Sequence, residues 1–195
     1  MSLTHYHITP DSEQGIFIAY GANLPWGGQS AMEALVNVVK QLQSENISVK
    51  AVSSLWQSEA WPDPSDPPYM NAVLKVVTSD SPEQLLEYLH KIEAEAGRVR
   101  YTSDHKNVNA PRNAPRTLDL DLIAYHDQVI SGDGLIVPHP RAHERGFVMG
   151  PLAEIAPDWV HPLLKRTASD LYAEVTVGRD AHIAETTDEV RVSGS

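Results

Sequence analysis

The chain contains no cysteine, which excludes disulfides, thiolate zinc sites and a cysteine nucleophile. No apolar run approaches the roughly 18 residues of a membrane-spanning helix. Residues Met1 to Glu13 lack the basic start and apolar stretch of a secretory signal, so a cytoplasmic protein is expected. Phenylalanine occurs only twice. Bases are scarce: 15 Lys and Arg stand against 26 Asp and Glu, a formal net charge of −11. Such a chain repels nucleic acid and anionic membranes as a whole. Neither is expected as a partner, and any phosphate chemistry must rest on a local basic patch. What is present is ordinary globular composition, with 42% apolar and 21% charged residues in 195 positions. That length is enough for one self-sufficient core.

The hydrophobic pattern gives an ordered set of elements. Gly15 to Tyr20 is a short apolar run stopped by Gly21, which predicts a buried strand. Met32, Leu35, Val39 and Leu42 fall near one face of a helix spanning Ser30 to Ser44. Ile47 to Leu55 is rich in β-branched residues and predicts a second strand. Trp61 to Pro68 holds four prolines in eight residues and must be a loop. Tyr69 to Thr78 predicts a third strand. The next helix has Ser81 as N-cap, Pro82 at N1, Gln84 completing a capping box and Gly97 at the left-handed C′ position. Leu118 to Tyr125 alternates as a strand should, and Val129 to Val137 predicts a hairpin. Arg141 to Ile155 is expected to be partly helical, limited by Pro151 and Pro157.

The order β-α-β-β-α-β predicts an α+β, ferredoxin-like core: one sheet with helices on one face, followed by a hairpin and a helical segment. Residues 1–165 are expected to form the working domain. Residues 166–195 are expected to hold one short helix within Ala168 to Val175, then a mobile acidic tail from Thr176.

The sharpest chemical feature is Asp119-Leu120-Asp121 inside a strand. Side chains two apart on a strand share a face, about 7 Å apart. Leu118, Leu120 and Leu122 then face the core, and both carboxylates project together on the other side. Two like charges so placed repel unless cations lie between them. Hard oxygen ligands on a rigid strand suit Mg²⁺ bridging to substrate phosphates. A solvated acidic strand face explains a bare D-x-D as well, so the surroundings must decide. Arg98, Arg100, Lys106, Arg112 and Arg116 lie within nineteen residues, one third of all the bases in the chain. Arg141 and Arg145 follow soon after. Guanidinium groups match phosphate oxygens with paired donors, and bases beside an acidic pair are what polyphosphate transfer requires.

The run Arg112-Asn113-Ala114-Pro115-Arg116-Thr117-Leu118-Asp119-Leu120-Asp121-Leu122-Ile123 closely resembles the signature of the 6-hydroxymethyl-7,8-dihydropterin pyrophosphokinases of folate synthesis. Gly21-Ala22-Asn23-Leu24, Tyr69-Met70-Asn71-Ala72-Val73, Gly97-Arg98-Val99-Arg100, Val137-Pro138-His139-Pro140 and Glu144-Arg145-Gly146-Phe147 resemble further motifs of that family, in order, from about Gly15 to Leu163.

The resemblance implies transfer of pyrophosphate from ATP to a reduced pterin alcohol, with release of AMP, by a monomeric enzyme. It implies that Asp119 and Asp121 hold two Mg²⁺ ions, with Arg98 and Arg116 as catalytic partners. It places Glu93, Arg100, Arg112, His139 and Arg145 around the nucleotide. For the pterin it implies a slot between Tyr69 and Phe147, read by Asn71 and by backbone groups of Ser58, Glu59 and Trp61. The sequence departs from the family at His90, where glutamine is frequent, and at Asn113, where some members carry tryptophan. Fifteen residues separate Arg100 from Arg116, more than in shorter members, and this loop is expected to be mobile and to close over ATP.

Three other readings compete. Nucleotidyl cyclases and polymerase palms also set carboxylates on a ferredoxin-like sheet, but they release pyrophosphate rather than AMP. A binding module without turnover would keep nucleotide affinity alone. A zinc hydrolase is weakest: His139 and His143 are spaced i, i+4, but Pro140 blocks a regular helix and no glutamate directly follows His139.

Overall fold

A computed structural model describes residues 14–45, 47–60, 65–97, 117–132, 134–187 and 190. The strands are β1 (Ile16–Ala22), β2 (Ser48–Val52), β3 (Leu55–Ser58), β4 (Tyr69–Val77), β5 (Asp119–Tyr125), β6 (Ile130–Gly132), β7 (Leu135–Val137) and β8 (His182–Glu185). The α-helices are α1 (Ala31–Ser44), α2 (Pro82–Glu95), α3 (Gly146–Ile155) and α4 (Ala168–Ala173). The main sheet runs β5-β1-β4-β3-β8, with β2 also paired to β4; its pairings are antiparallel. Strands β6 and β7 form the expected hairpin. This is the α+β, ferredoxin-like plan that the order of elements requires. No described helix is long and apolar enough to cross a membrane.

Local chemistry sets the helix ends. Ser30 and Ser81 each close a full capping box, with Glu33 and Gln84 as the reciprocal partners. Pro82 lies in the first turn of α2 and Gly97 follows its C-cap at φ 85°. Both helices bury an apolar stripe on one face of the sheet. There Leu35, Val38 and Leu42 from α1, and Leu85, Leu89 and Ile92 from α2, meet Ile16, Ile18 and Tyr20 of β1, Leu74 and Val76 of β4, and Leu118, Leu120 and Leu122 on and before β5.

The intervening residues of the same strands face the other way. Phe17, Val73 and Ile123 form a second core with Val148, Met149 and Leu152 of α3, Leu171 of α4, and Trp159. The helices of the two βαβ halves thus share one face, and the C-terminal helices add a second layer opposite. Helix α3 runs through Pro151, so the expected limit at that proline is corrected. A proline in a helix interior forfeits one backbone bond and is tolerated where tertiary burial offsets it, and Pro151 is buried.

Two further differences matter for function. The single strand expected over Ile47 to Leu55 is split at Ser53-Ser54. The Ser53 amide donates to Val73 O and the Ser53 hydroxyl takes the Val73 amide, while Glu154 of α3 takes both the amide and the hydroxyl of Ser54. Second, the tail expected from Thr176 is corrected over residues 182–185, which pair with β3 as β8. A strand exposed at every position shows no alternation, so hydrophobic pattern could not reveal it.

Candidate active site

The β5-β1-β4-β3 register lines up one row of residues. Asp119 pairs with Gly21, Gly21 with Asn71, and Asn71 with Trp56. Directly opposed residues share a face, so Asp119, Asn71 and Trp56 lie on the side of α3. Asp121 pairs with Ala19 in the next row, on the same side. Leu120 points into the opposite core at 1% exposure. The paired carboxylates therefore project together, as strand periodicity demands, and both are partly exposed. A Cβ at Gly21 would lie 3.7 Å from Asn71 Oδ1 and 3.9 Å from Asp119 Cβ, ordinary contact distances that set Gly21 directly between the two.

Asn71 is 95% buried and its amide nitrogen is committed. It donates to Ser58 Oγ at 3.0 Å and lies 3.3 Å from the carbonyls of Trp56 and Tyr69. Its oxygen is thereby turned toward Gly21. Tyr69 stands two residues before Asn71 on the same face and pairs with Ser58. These residues form one end of the open face.

The other wall is the segment before and within α3. Arg145 precedes the helix and Phe147 lies in its first turn, with the guanidinium carbon 5.7 Å from the Phe147 ring centre. Burial, and then Arg141, pull Arg145 below its ordinary value, against the opposing pull of Asp121 and Asp119; a guanidinium nevertheless stays cationic. Burial likewise pulls His139 below the usual imidazole range. Asp121 opposes this, and Arg145 and Arg141 add to it. The His139 amide donates to Ile123 O, and its Nδ1 accepts the Arg141 amide at 3.2 Å. His139, Arg145 and the aspartates thus interact electrostatically on one side of the sheet.

Glu93, expected near the nucleotide, lies behind β5. It is 0% exposed, and its Oε1 accepts the Leu120 amide at 2.8 Å. Among the described residues strand β5 is a sheet edge, so this carboxylate takes an amide that no described strand pairs and steadies the backbone between the two aspartates. Glu59, whose backbone is expected to help read the pterin edge, donates its amide to Asp180 Oδ2 at 2.5 Å. Trp61, Arg98, Arg100, Arg112 and Arg116 lie outside the described residues, as do Asn113 and the stretch expected to close over ATP.

Two structural residues were missed from the sequence. Glu154 holds the β2–β3 break and also accepts from Trp56 Nε1 at 2.7 Å, so it ties α3, and with it Phe147, to the strand below Asn71. It is the only acid in an otherwise apolar helix, which is the one signal that could have marked it. Asp180 had no such signal.

A two-carboxylate donor set fits Mg²⁺, which takes few protein ligands and completes its shell with water and phosphate. Among the described residues no cluster of three or more His, Asp or Glu forms a closed metal cage.

The family model for 7,8-dihydro-6-hydroxymethylpterin-pyrophosphokinase matches residues 17–157. The chain is 38% identical over 147 residues to the 2-amino-4-hydroxy-6-hydroxymethyldihydropteridine pyrophosphokinase of Haemophilus influenzae, covering 75% of this chain and 84% of that one. It is 35% identical over 167 residues to the enzyme of the same name from Synechocystis, covering 85% and 78%. It is also similar to the folic acid synthesis protein fol1 of Pneumocystis carinii, at 33% identity over 162 residues; these span 83% of this chain but only 20% of the fungal protein. Among solved structures, wild-type Plasmodium falciparum HPPK-DHPS superposes with a TM-score of 0.59 at 11% identity, covering 85% of this chain and 45% of that one. At that identity the likeness concerns fold alone.

Proposed function

The chain belongs to the 7,8-dihydro-6-hydroxymethylpterin-pyrophosphokinase family, and from that premise we propose that it transfers pyrophosphate from ATP to the hydroxymethyl group of 6-hydroxymethyl-7,8-dihydropterin. The observation that carries the reading is the row Asp119, Gly21, Asn71, Trp56. It sets a metal-type carboxylate and a ring-reading amide on one open face, two strands or about 10 Å apart. That separation suits a triphosphate at one end and a flat heterocycle at the other.

In this reading the hydroxyl oxygen of the pterin attacks the β-phosphorus of ATP. The new O–P bond forms as the bond from that phosphorus to the AMP oxygen breaks, and the hydroxyl proton leaves to solvent. No covalent enzyme intermediate is needed; position and charge do the work. Asp119 and Asp121 are the residues to hold Mg²⁺, two ions in our reading, and bound Mg²⁺ would neutralise and orient the triphosphate. Arg145 and His139 line the nucleotide side. Arg98, Arg100, Arg112 and Arg116 complete phosphate recognition, a role their paired donors suit. Tyr69 and Phe147 stack on the pterin, while Asn71 and backbone groups around Ser58 and Trp61 read its edge. Glu93 serves the site from behind by fixing the Leu120 amide. The chain acts as a monomer, with neither nucleic acid nor membrane as partner, in keeping with its acidic charge.

The test is a turnover assay with ATP, Mg²⁺ and the pterin alcohol, separating spent nucleotides by chromatography. AMP appearing only with the pterin supports the reading. Released pyrophosphate would indicate nucleotidyl transfer instead, and no turnover would leave a binding module.

A further inference from the structure

The segment after α4 does something that neither the motifs nor the family match at residues 17–157 covers. It first laces onto the wall that carries Arg145 and Phe147. Thr176 and Val177 amides both donate to Glu144 O, at 3.1 and 3.0 Å, and the Gly146 amide donates to Val177 O at 2.7 Å. Gly178 then sits against Phe147. It has φ 66°, and a Cβ there would lie 2.5 Å from Phe147 Cδ1, so only glycine lets the strap pass this close.

Two residues later Asp180 reaches the opposite wall and accepts the Glu59 amide. Strand β8 continues along β3, pairing His182 with Gln57 and Ile183 with Trp56. Thr187 ends the run by donating to the carbonyls of Val52 and Ser53 at the strand break. Without β8, the four residues of β3 that present Trp56 O and Ser58 Oγ to Asn71 would be a bare sheet edge.

We infer that residues 176–187 form a strap that joins the two walls of the pterin slot and sets its width, with Asp180 as the positioning residue on the Ser58 side. This rests on the proposed function, because it presumes that the pterin lies between Phe147 and the Tyr69–Asn71–Ser58 wall. Asp180 meets the Glu59 amide on the Ser58 side, at the far end of the strap from Arg145, so its influence falls on the pterin and not on the triphosphate. Asp180 is exposed, so its removal opens no cavity.

The experiment compares wild type, Asp180→Ala and Asp180→Asn in the AMP assay, together with hydrogen exchange at the Glu59 amide. Losing one hydrogen bond to a charged acceptor at an exposed site should raise the KM for the pterin about fivefold. The KM for ATP and kcat should stay unchanged, and the Glu59 amide should exchange faster. Asp180→Asn keeps an acceptor oxygen and should restore most of the pterin KM. Gly178→Ala pushes on Phe147 directly and should raise the pterin KM further. Wild-type pterin KM in Asp180→Ala, or an equal rise for ATP and pterin, overturns the strap while leaving the proposed reaction standing. A wild-type protein that makes no AMP overturns both.

Discussion

The two faces of the sheet are built from the same strands and have almost nothing else in common. On the α1/α2 face the alternate residues of β1, β4 and β5 are apolar along their whole length: Ile16, Ile18 and Tyr20; Ala72, Leu74 and Val76; Leu120 and Leu122. On the α3/α4 face each of these strands changes character along its length. Phe17, Val73 and Ile123 are roofed by α3 and α4, whereas Gly21, Asn71 and Asp119 lie beyond that roof in a single row. One face holds the fold together; the other divides its length between packing and chemistry. Glu93 is the notable link, a buried carboxylate on the packing side that fixes the backbone between two aspartates on the chemical side.

If that division is right, substitutions on the two faces should separate activity from stability. The largest effect belongs to Asp119→Ala or Asp121→Ala. Losing a metal ligand from a site that works by charge neutralisation should cost about a thousandfold or more in turnover. The thermal midpoint should hold or rise, because a like-charge pair is relieved. Matching losses of activity and stability would erase the distinction. Leu74→Ala probes the opposite face. Leu74 is 0% exposed, so its truncation should destabilise by about 2–5 kcal/mol. Turnover per folded molecule should remain near wild type, as read by denaturant melts beside the AMP assay.

Asn71→Ala sharpens the comparison within the chemical face itself. Asn71 donates to Ser58 Oγ and lies within 3.3 Å of the carbonyls of Trp56 and Tyr69, at the β3 end of the row. Its loss should weaken pterin binding about tenfold, the equivalent of one well-made buried hydrogen bond, and leave ATP binding unaltered. Calorimetric titration of each ligand separately reads this split, and unchanged pterin affinity would remove Asn71 from the slot.

The same contrast explains what could be read from the sequence. Capped helices announce themselves locally: Ser81, Pro82, Gln84 and Gly97 each act within a few residues of their own position. The orientation of Asp119 and Asp121 follows from strand periodicity, so their shared face needs no knowledge of contacts. Features that depend on distant residues were invisible. The break at Ser53-Ser54 is held by Glu154, a hundred residues away. The Glu59 amide is taken by Asp180, at a separation of 121. Strand β8 exists because β3 offers it an edge, and its own residues, all exposed, carry no pattern. Glu93 was found by resemblance, yet its local role, accepting a strand-edge amide, could be assigned only once β5 was known to be an edge.

The smallest effect tests the roof of the chemical face by pH. His161 lies in the turn leading to α4, where its Nδ1 accepts the amides of Leu163 and Leu164, both at 3.2 Å. Its ring stands edge-on to Trp159 at 5.6 Å and to His143 at 5.8 Å. Burial first, and then the neighbouring His143, push its pKa down to about 4. An unfolded histidine titrates near 6.5, so between these values the unfolded chain binds more protons than the folded one and stability rises with pH. The contribution is whole above about pH 6.5, falls on acidification, and is gone by about pH 4. With solvent screening allowed for, this slope should amount to roughly 2–4 °C in Tm across the window. Asn at position 161 can still accept the two amides through its side-chain oxygen but does not titrate, so His161→Asn should flatten the profile while leaving the Tm at pH 7.5 near wild type. Parallel profiles for the two proteins would mean that the acid sensitivity lies elsewhere, and that the roof over Phe17 and Ile123 is as indifferent to pH as the apolar face beneath it.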